Sequence, residues 1–237
     1  MHTRLIAATI LSLLPSLPAA ADLTGRAVFD GAPPKAKEIR MTTNAECAAQ
    51  HATPVYDETW VVGPNGELKN VVVYVKDGAK LNAPVPKDPV VLEQKGCVYT
   101  PHVVTVMVGQ PLKATNADPT LHNVHGLAQK NGEFNFSQLQ KGQTDPIPGN
   151  KAVETYSIKC DVHNWMKAWV VVLDHPFAAV TDDKGEFTLK GLKPGDYKLV
   201  AWHEPALTQE LNVTIDANGK PTKPVEFKFS AKKKAAP

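Results

Sequence analysis

The stretch Cys160-Asp161-Val162-His163-Asn164-Trp165-Met166 brings a thiol, an imidazole and a thioether into one short segment. A second imidazole, that of His122, lies upstream in Asn116-Ala117-Asp118-Pro119-Thr120-Leu121-His122-Asn123. Two histidines and a cysteine, with a weak axial methionine, are the ligands of mononuclear copper sites that carry electrons. Soft sulfur ligands suit Cu(I), whereas imidazoles suit both oxidation states. The sequence therefore predicts one copper ion held by His122, Cys160, His163 and Met166.

Each of these residues also has an ordinary interpretation. Taken alone, Cys160 fits an ordinary buried thiol and Met166 an ordinary core residue. Only their combination with the histidines favours a metal site. His125 is the rival of His122 for the upstream ligand position. Residues i and i+3 of a strand point to opposite faces, so we do not expect both histidines to bind one ion. His125 therefore stays open as an alternative ligand, a group supporting a ligand, a surface histidine or part of a second, weaker metal site.

The remaining pattern predicts an all-β fold. Short runs of β-branched and aromatic residues, separated by Gly, Pro, Asn and Asp, are typical of a β-sandwich. Up to Asp174 these runs cover 23–29, 68–75, 90–92, 103–108, 112–115, 152–158 and 167–173. Helix is expected only over 42–50 and as a turn over 135–139. After Asp174, shorter runs at 177–180, 186–189, 197–203, 211–215 and 225–229 predict a second, smaller β-sandwich.

The N-terminus has the pattern of a secretory signal. Arg4 supplies a positive charge, residues 5–17 supply a short apolar core, and Ala19-Ala20-Ala21 supplies small residues for cleavage. We therefore expect residues 1–21 to be removed and the mature chain to begin at Asp22 in the periplasm or another exported compartment. An uncleaved anchor is the alternative. No later stretch is apolar for long enough to cross a bilayer.

The three cysteines fit an exported protein with one disulfide. Disulfides persist in oxidising compartments, and an odd count requires a role for the unpaired thiol. Cys160 has a metal-binding context, whereas Cys47 and Cys97 have none, so we predict that these two are paired. The alternative is that both are free buried thiols. The sequence has no CxxCH haem motif and no second cysteine near Cys160, which argues against haem or a dinuclear copper centre.

The charge balance gives no support to nucleic acid as a partner. The chain of 237 residues has a formal net charge of +2. Removal of Arg4 with the signal leaves +1, because residues 1–21 contain no acid. This near-neutral balance gives no indication of nucleic-acid binding. Residues 231–237, which include Lys232-Lys233-Lys234, are predicted to be a solvated basic tail, with weak electrostatic docking as the alternative.

The segment from Cys97 to Leu173 resembles the cupredoxins of the plastocyanin and amicyanin group. The resemblance rests on Asn116-x-Asp118, on His122-Asn123-Val124 and on Cys160-x-x-His163-x-x-Met166, whose last gap is most similar to amicyanin. It implies a Greek-key β-sandwich with one type 1 (blue) copper. His122, Cys160 and His163 match the equatorial ligands and Met166 the axial ligand. Asn123 matches the residue whose backbone amide donates to the ligand sulfur, and the exposed edge of His163 would be the electron port.

The segment from Phe177 to Leu199 resembles the prealbumin-like module called carboxypeptidase regulatory-like. The resemblance rests on Thr181-Asp182-Asp183-x-Gly185-x-Phe187 and on Leu192-x-Pro194-Gly195-x-Tyr197. The whole sequence is similar to fused chains labelled methylamine-utilisation or plastocyanin-like proteins. We therefore predict a signal (1–21), a copper domain (22–174), a β domain (175–230) and a tail (231–237). The first strand, 23–29, resembles the start of the prealbumin-like module, so the two domains could share it.

These patterns predict an electron carrier that is not an enzyme. Its expected partners are redox proteins such as a c-type cytochrome, a dehydrogenase or an oxidase. The first alternative is a protein that binds and delivers copper without redox turnover. The second is an interaction module in which the C-terminal β domain does the work and the metal serves as a staple.

Overall fold

The computed structural model describes residues 20–78, 83–204 and 206–231. The predicted signal, apart from Ala20 and Ala21, and the lysines of the predicted tail lie outside these ranges. Within them, no helix is long and apolar enough to cross a membrane. The all-β prediction is confirmed, because the described residues form eighteen strands and one short helix. In chain order the elements are β1 Ala21–Phe29, β2 Glu38–Ile39, α1 Ala45–Ala48, β3 Val55–Tyr56, β4 Val72–Asp77, β5 Val90–Lys95, β6 Val98–Thr100, β7 Val103–Met107, β8 Leu112–Asn116, β9 His122–Gly126, β10 Phe134–Gln138, β11 Thr144–Pro146, β12 Glu154–Lys159, β13 Lys167–Leu173, β14 Ala178–Val180, β15 Glu186–Leu192, β16 Gly195–His203, β17 Leu207–Ile215 and β18 Glu226–Phe229.

The first core lies between a five-stranded and a four-stranded sheet. Their strand orders are β10-β9-β12-β13-β7 and β11-β8-β5-β6. Alternate residues of each strand point inward, as the pleat requires, so that Tyr156 and Ile158 of β12 are buried. Strands β12 and β13 are antiparallel, with Lys159 opposite Lys167. The segment 160–166 is the loop that joins them, and the sheet therefore fixes both of its ends.

The predicted helical turn over 135–139 is wrong. Residues Phe134–Gln138 form strand β10, which pairs with β9 so that Gln138 lies opposite His122. The physical reason is the period of two in this segment, because Phe134 and Phe136 both pack against the first core. The helix predicted over 42–50 is present, but it is limited to Ala45–Ala48.

The second core lies between the sheets β15-β1-β18 and β14-β4-β16-β17. Strand β1 pairs antiparallel with β15 and parallel with β18. Strand β4 pairs with both β14 and β16. The range predicted for the copper domain therefore contains two strands whose side chains, such as Ala27 and Val73, pack in the second core. A strand's own alternation gives its buried face but not the sheet that it joins.

A buried carboxylate ties the two cores together. Glu204 follows β16, and its Oε1 accepts a hydrogen bond from His102 Nε2 at 2.5 Å. Its Oε2 accepts from Trp169 Nε1 at 2.6 Å and pairs with Lys167 Nζ at 2.5 Å. The Glu204 side chain is 3% exposed. Burial raises the pKa of this carboxyl, but the hydrogen bonds and charges of His102 and Lys167 outweigh burial and lower it from 4.5 to about 2.

This shift predicts acid sensitivity. Because the folded pKa is depressed, the stabilisation is complete above about pH 4.5 and is lost as the pH falls toward 2. At pH 7 it contributes about 3 kcal/mol to the free energy of unfolding. Urea unfolding between pH 7 and pH 3 should therefore show a steeper loss for the wild type than for Glu204→Gln. Glu210→Gln, which breaks the exposed Lys76 ion pair, is the control and should follow the wild type. An equal loss of the free energy of unfolding between pH 7 and pH 3 in the wild type and in Glu204→Gln would contradict a lowered pKa for Glu204.

Candidate metal centre

Three of the four predicted ligands converge at the end of the first sandwich. The ligand atoms of His122, Cys160 and His163 all lie within 4.8 Å of one another. His122 Nδ1 is 3.1 Å from His163 Nδ1, and Cys160 Sγ is 3.8 Å from the same His163 nitrogen. The three residues are 0%, 2% and 1% exposed. Strand β9 and the loop 160–166 therefore bring a thiol and two imidazole nitrogens together out of contact with solvent.

Backbone hydrogen bonds close the ligand loop. The Cys160 amide donates to the Met166 carbonyl at 3.2 Å, and the Met166 amide donates to the His163 carbonyl at 2.9 Å. Met166, the predicted axial ligand, is 1% exposed and packs in the first core beside Cys160. The backbone amide of Asn123 donates to Cys160 Sγ at 3.4 Å. The loop thus brings Met166 next to Cys160 through its backbone, and β9 supplies a donor to the sulfur.

The donor set fits a single copper ion. Around a tetrahedral ion such as zinc, two imidazole nitrogens bound at about 2.0 Å lie about 3.3 Å apart. A thiolate sulfur bound at about 2.3 Å lies about 3.6 Å from such a nitrogen. The observed separations of 3.1 Å and 3.8 Å match these values within a few tenths of an ångström. Thiolate and imidazole together suit copper in either oxidation state.

The surroundings of Cys160 favour its ionised form. Burial raises the pKa of the thiol, but hydrogen bonds from His122 and from backbone amides, including those of His163 and Asn123, outweigh burial and lower it. A metal-binding cysteine must lose its proton, so this environment reduces the cost of binding.

Asp118 belongs to the site, although no role was predicted for it from the sequence. Its Oδ2 lies 2.8 Å from His122 Nε2, and both side chains are fully buried. Its two oxygens also accept from the backbone amides of Gly96 and Cys97, each at 2.7 Å. A carboxylate on the far nitrogen of a histidine fixes the ring's tautomer and orientation for metal binding. The available signal was the acid four residues before His122 in a turn that also contains Asn116.

The outer edge of His163 is covered, so the prediction that this edge is exposed is wrong. Asn44 Nδ2 lies 2.8 Å from His163 Nε2, and Cys47 Sγ lies 3.5 Å from the same nitrogen. Asn44 also caps helix α1, because its Oδ1 accepts from the Cys47 amide at 3.0 Å. The reason for the burial is the segment 41–51, which carries this helix over the site.

The structure contains the Cys47–Cys97 disulfide, which holds that segment in place. The bond links α1 to the turn between β5 and β6, across 50 residues of sequence. Cys160 is the free cysteine. The pairing that the sequence indicated is therefore part of the wall of the site as well as a link in the fold.

The alternative ligand His125 lies outside the group. Its Nδ1 is 2.8 Å from Asp161 Oδ2, and its Nε2 is 2.8 Å from Glu133 Oε1. Both ring nitrogens therefore contact carboxylates at the protein surface. This arrangement follows from strand geometry, because His125 and His122 lie three residues apart on β9 and point to opposite faces.

Comparisons with known proteins place cupredoxins among the similar structures. A copper-containing nitrite reductase from Thermus scotoductus SA-01 is 24% identical, with a TM-score of 0.34, over 42% of this chain and 25% of the reductase. A purple cupredoxin from Nitrosopumilus maritimus is 20% identical over 36% of this chain and 98% of its own, with a TM-score of 0.31. Amicyanin from Paracoccus versutus is 26% identical over 43% of this chain and 97% of its own, with a TM-score of 0.33.

The family comparison matches a segment in the C-terminal half of the chain. Residues 149–223 match the family model described as polysaccharide lyase family 4, domain II. The match begins before β12 and ends after β17, so it includes the ligand loop and part of the second sandwich. No curated protein matches the chain. The chain spans about a quarter of the length of the nitrite reductase. Each of these three structures matches less than half of this chain.

Proposed function

We propose that this protein is an exported carrier of single electrons with one type 1 copper ion. His122, Cys160 and His163 would hold the ion, with Met166 as a weak axial ligand. The observation that carries the proposal is the buried convergence of one thiol, poised to ionise, and two imidazole nitrogens at separations that suit one ion. Copper bound there would supply a Cu(I)/Cu(II) couple.

The protein's own contribution is to hold the buried ligand side chains in fixed positions. Asp118 orients His122, Asn44 contacts the far nitrogen of His163, and the Asn123 amide donates to the sulfur. Because strands β12 and β13 hold both ends of the ligand loop, the same donor geometry can serve both oxidation states. Such rigidity would keep the movement of the ligands small when the bound ion changes its oxidation state.

Burial of the ligands supports a carrier over an enzyme. Catalytic metal sites keep one coordination position open to a substrate or water. Here four buried candidate ligands, three equatorial and one weak axial, would occupy the coordination positions of one ion. The Cys47–Cys97 disulfide supports an exported, oxidising location such as the periplasm. We propose redox proteins as partners, for example a c-type cytochrome, a dehydrogenase or an oxidase.

Spectroscopy of the purified mature protein loaded with Cu(II) tests the proposal. We expect an intense blue thiolate-to-copper absorption and a narrow parallel hyperfine splitting in the EPR spectrum, both lost on mild reduction. A colourless protein with an ordinary tetragonal Cu(II) signal would refute the type 1 assignment. Rapid exchange of the ion with a chelator, without reversible reduction, would favour the alternative of copper delivery.

Replacing the axial ligand should change the reduction potential. A thioether is a weak, soft donor, whereas an amide oxygen is harder and favours Cu(II). Met166→Gln should therefore lower the midpoint potential measured by voltammetry while the protein stays coloured. Met107→Leu, a change to a buried methionine on β7, is the control and should leave the potential unchanged. An unaltered potential in Met166→Gln would mean that Met166 is not an axial ligand.

A further inference from the structure

The four candidate ligands offer no direct contact with a redox partner. His122, Cys160, His163 and Met166 are 0%, 2%, 1% and 1% exposed. Electron tunnelling weakens steeply with distance, so a side chain that touches a ligand and also reaches the surface shortens the path to a partner. Under the proposed function, such a side chain is the favoured point of contact.

The edge of His163 is closed by an anchored segment, which we call the cap and define as residues 41–51. Asn44 and Cys47 of the cap contact His163 Nε2. The Cys47–Cys97 disulfide fixes the cap to the β5–β6 turn, where Asp118 binds the amides of Gly96 and Cys97. The cap is therefore tied to the same residue that orients His122, and it belongs to the rigid part of the site.

Trp165 does connect a ligand with the surface. Its indole ring lies against His163, with ring centroids 5.3 Å apart at an angle of 45°. Its Nε1 donates to the Cys97 carbonyl at 2.9 Å, which fixes the ring's orientation. Unlike the ligands, Trp165 is partly exposed. Aromatic rings with one buried and one accessible side suit contact between a core and a partner.

We propose that electrons pass between the site and a partner through the indole of Trp165, because the cap closes the edge of His163. This inference rests on the proposed function. In the step, one electron leaves the Cu(I)-loaded protein and reduces a one-electron oxidant, such as a ferric haem, by one unit. No covalent bond of the protein forms or breaks, and the indole returns unchanged.

The first experiment uses metal-free protein, so it does not depend on copper. Trypsin cleavage after Lys159 and Lys167 releases the peptide Cys160–Lys167, which contains His163 as its one histidine and Trp165 as its one tryptophan. Hydroxyl-radical labelling should oxidise Trp165, and diethyl pyrocarbonate should leave His163 unmodified. Asn44→Ala should make His163 reactive, as unfolding in denaturant should. Ready modification of His163 in the wild type, or protection of Trp165, would overturn the inference.

The second experiment measures oxidation of the Cu(I)-loaded protein by ferric cytochrome c in a stopped-flow instrument. Trp165→Leu should slow the reaction several-fold with the visible spectrum and potential unchanged. Trp165→Phe keeps an aromatic ring and should retain most of the rate. Trp169→Phe, a tryptophan that contacts Glu204, is the control and should match the wild type. An unchanged rate in Trp165→Leu would overturn the inference, whereas a colourless Cu(II) protein would refute the proposed function itself.

Discussion

Replacing Cys160 with serine should abolish the intense visible absorption of the copper-loaded protein completely. The absorption of such a site arises from charge transfer between the thiolate and copper, and a serine hydroxyl is a hard, protonated donor that cannot replace it. Cys160 is the one free cysteine among the described residues. We therefore expect loss of both the colour and the reversible oxidation, measured by absorption spectroscopy and voltammetry.

A matched control separates this effect from damage to the core. Ala168 lies on β13, is fully buried in the same core as Cys160 and pairs with Ile158. Ala168→Ser adds a hydroxyl of the same kind without replacing a candidate ligand, so it should keep the colour. Retention of the blue band in Cys160→Ser would disprove the ligand assignment. Loss of the band in both variants would instead indicate that a buried hydroxyl disrupts the core.

The second large effect is expected at Asp118. Asp118→Ala removes three hydrogen bonds at once and leaves the buried His122 Nε2 and the amides of Gly96 and Cys97 without their acceptor. Breaking a buried charged network in this way costs about 3–5 kcal/mol. Loss of the carboxylate behind a ligating histidine lowers metal affinity by about 10–100-fold. Urea unfolding of the metal-free protein and a competitive copper titration measure the two effects separately.

Two variants sharpen this test. Asp118→Asn keeps one oxygen acceptor and the side chain's shape, so it should lose less stability than Asp118→Ala while still weakening copper binding. Asp88→Ala, at an exposed position, should change the free energy of unfolding by less than about 0.5 kcal/mol. Unchanged copper affinity in both Asp118 variants would limit that residue to supporting the turn around Gly96 and would contradict a role in orienting His122.

The sequence was most informative where the decisive contacts are local. The ligand loop spans the ends of two antiparallel strands, so the spacing of Cys160, His163 and Met166 already fixed their proximity. The all-β class followed from short alternating runs for the same reason. The helical turn expected over 135–139 is a strand, because the alternation of Phe134 and Phe136 favours β structure more than the polar composition favours a turn.

Contacts between distant segments leave no pattern in the local sequence, so they could not be predicted. Asn44 and His163 are 119 residues apart, and neither residue's neighbours indicate that they meet. The exposed edge expected for His163 came from a family resemblance that does not contain the cap. Asp118 was visible in the sequence, but only the folded turn shows that its carboxylate points at His122. The side chains of β4 likewise alternate as in any strand, and pairing alone shows which core they enter.

Strands β4 and β14 lie side by side, with Tyr74 opposite Ala178 and Val72 opposite Val180. The chain therefore leaves the second sandwich at β4, builds the metal-binding sandwich, and returns beside its point of departure. This part of the protein is joined to the second sandwich at both ends, and the Cys47–Cys97 disulfide also links it to the cap, so a protease cut in the exposed segment 84–89 would leave it attached. Truncation after residue 174 would not release an intact metal-binding sandwich on its own. Strands β1 and β4 would remain attached to it but would lose every strand partner that they have in the second sandwich.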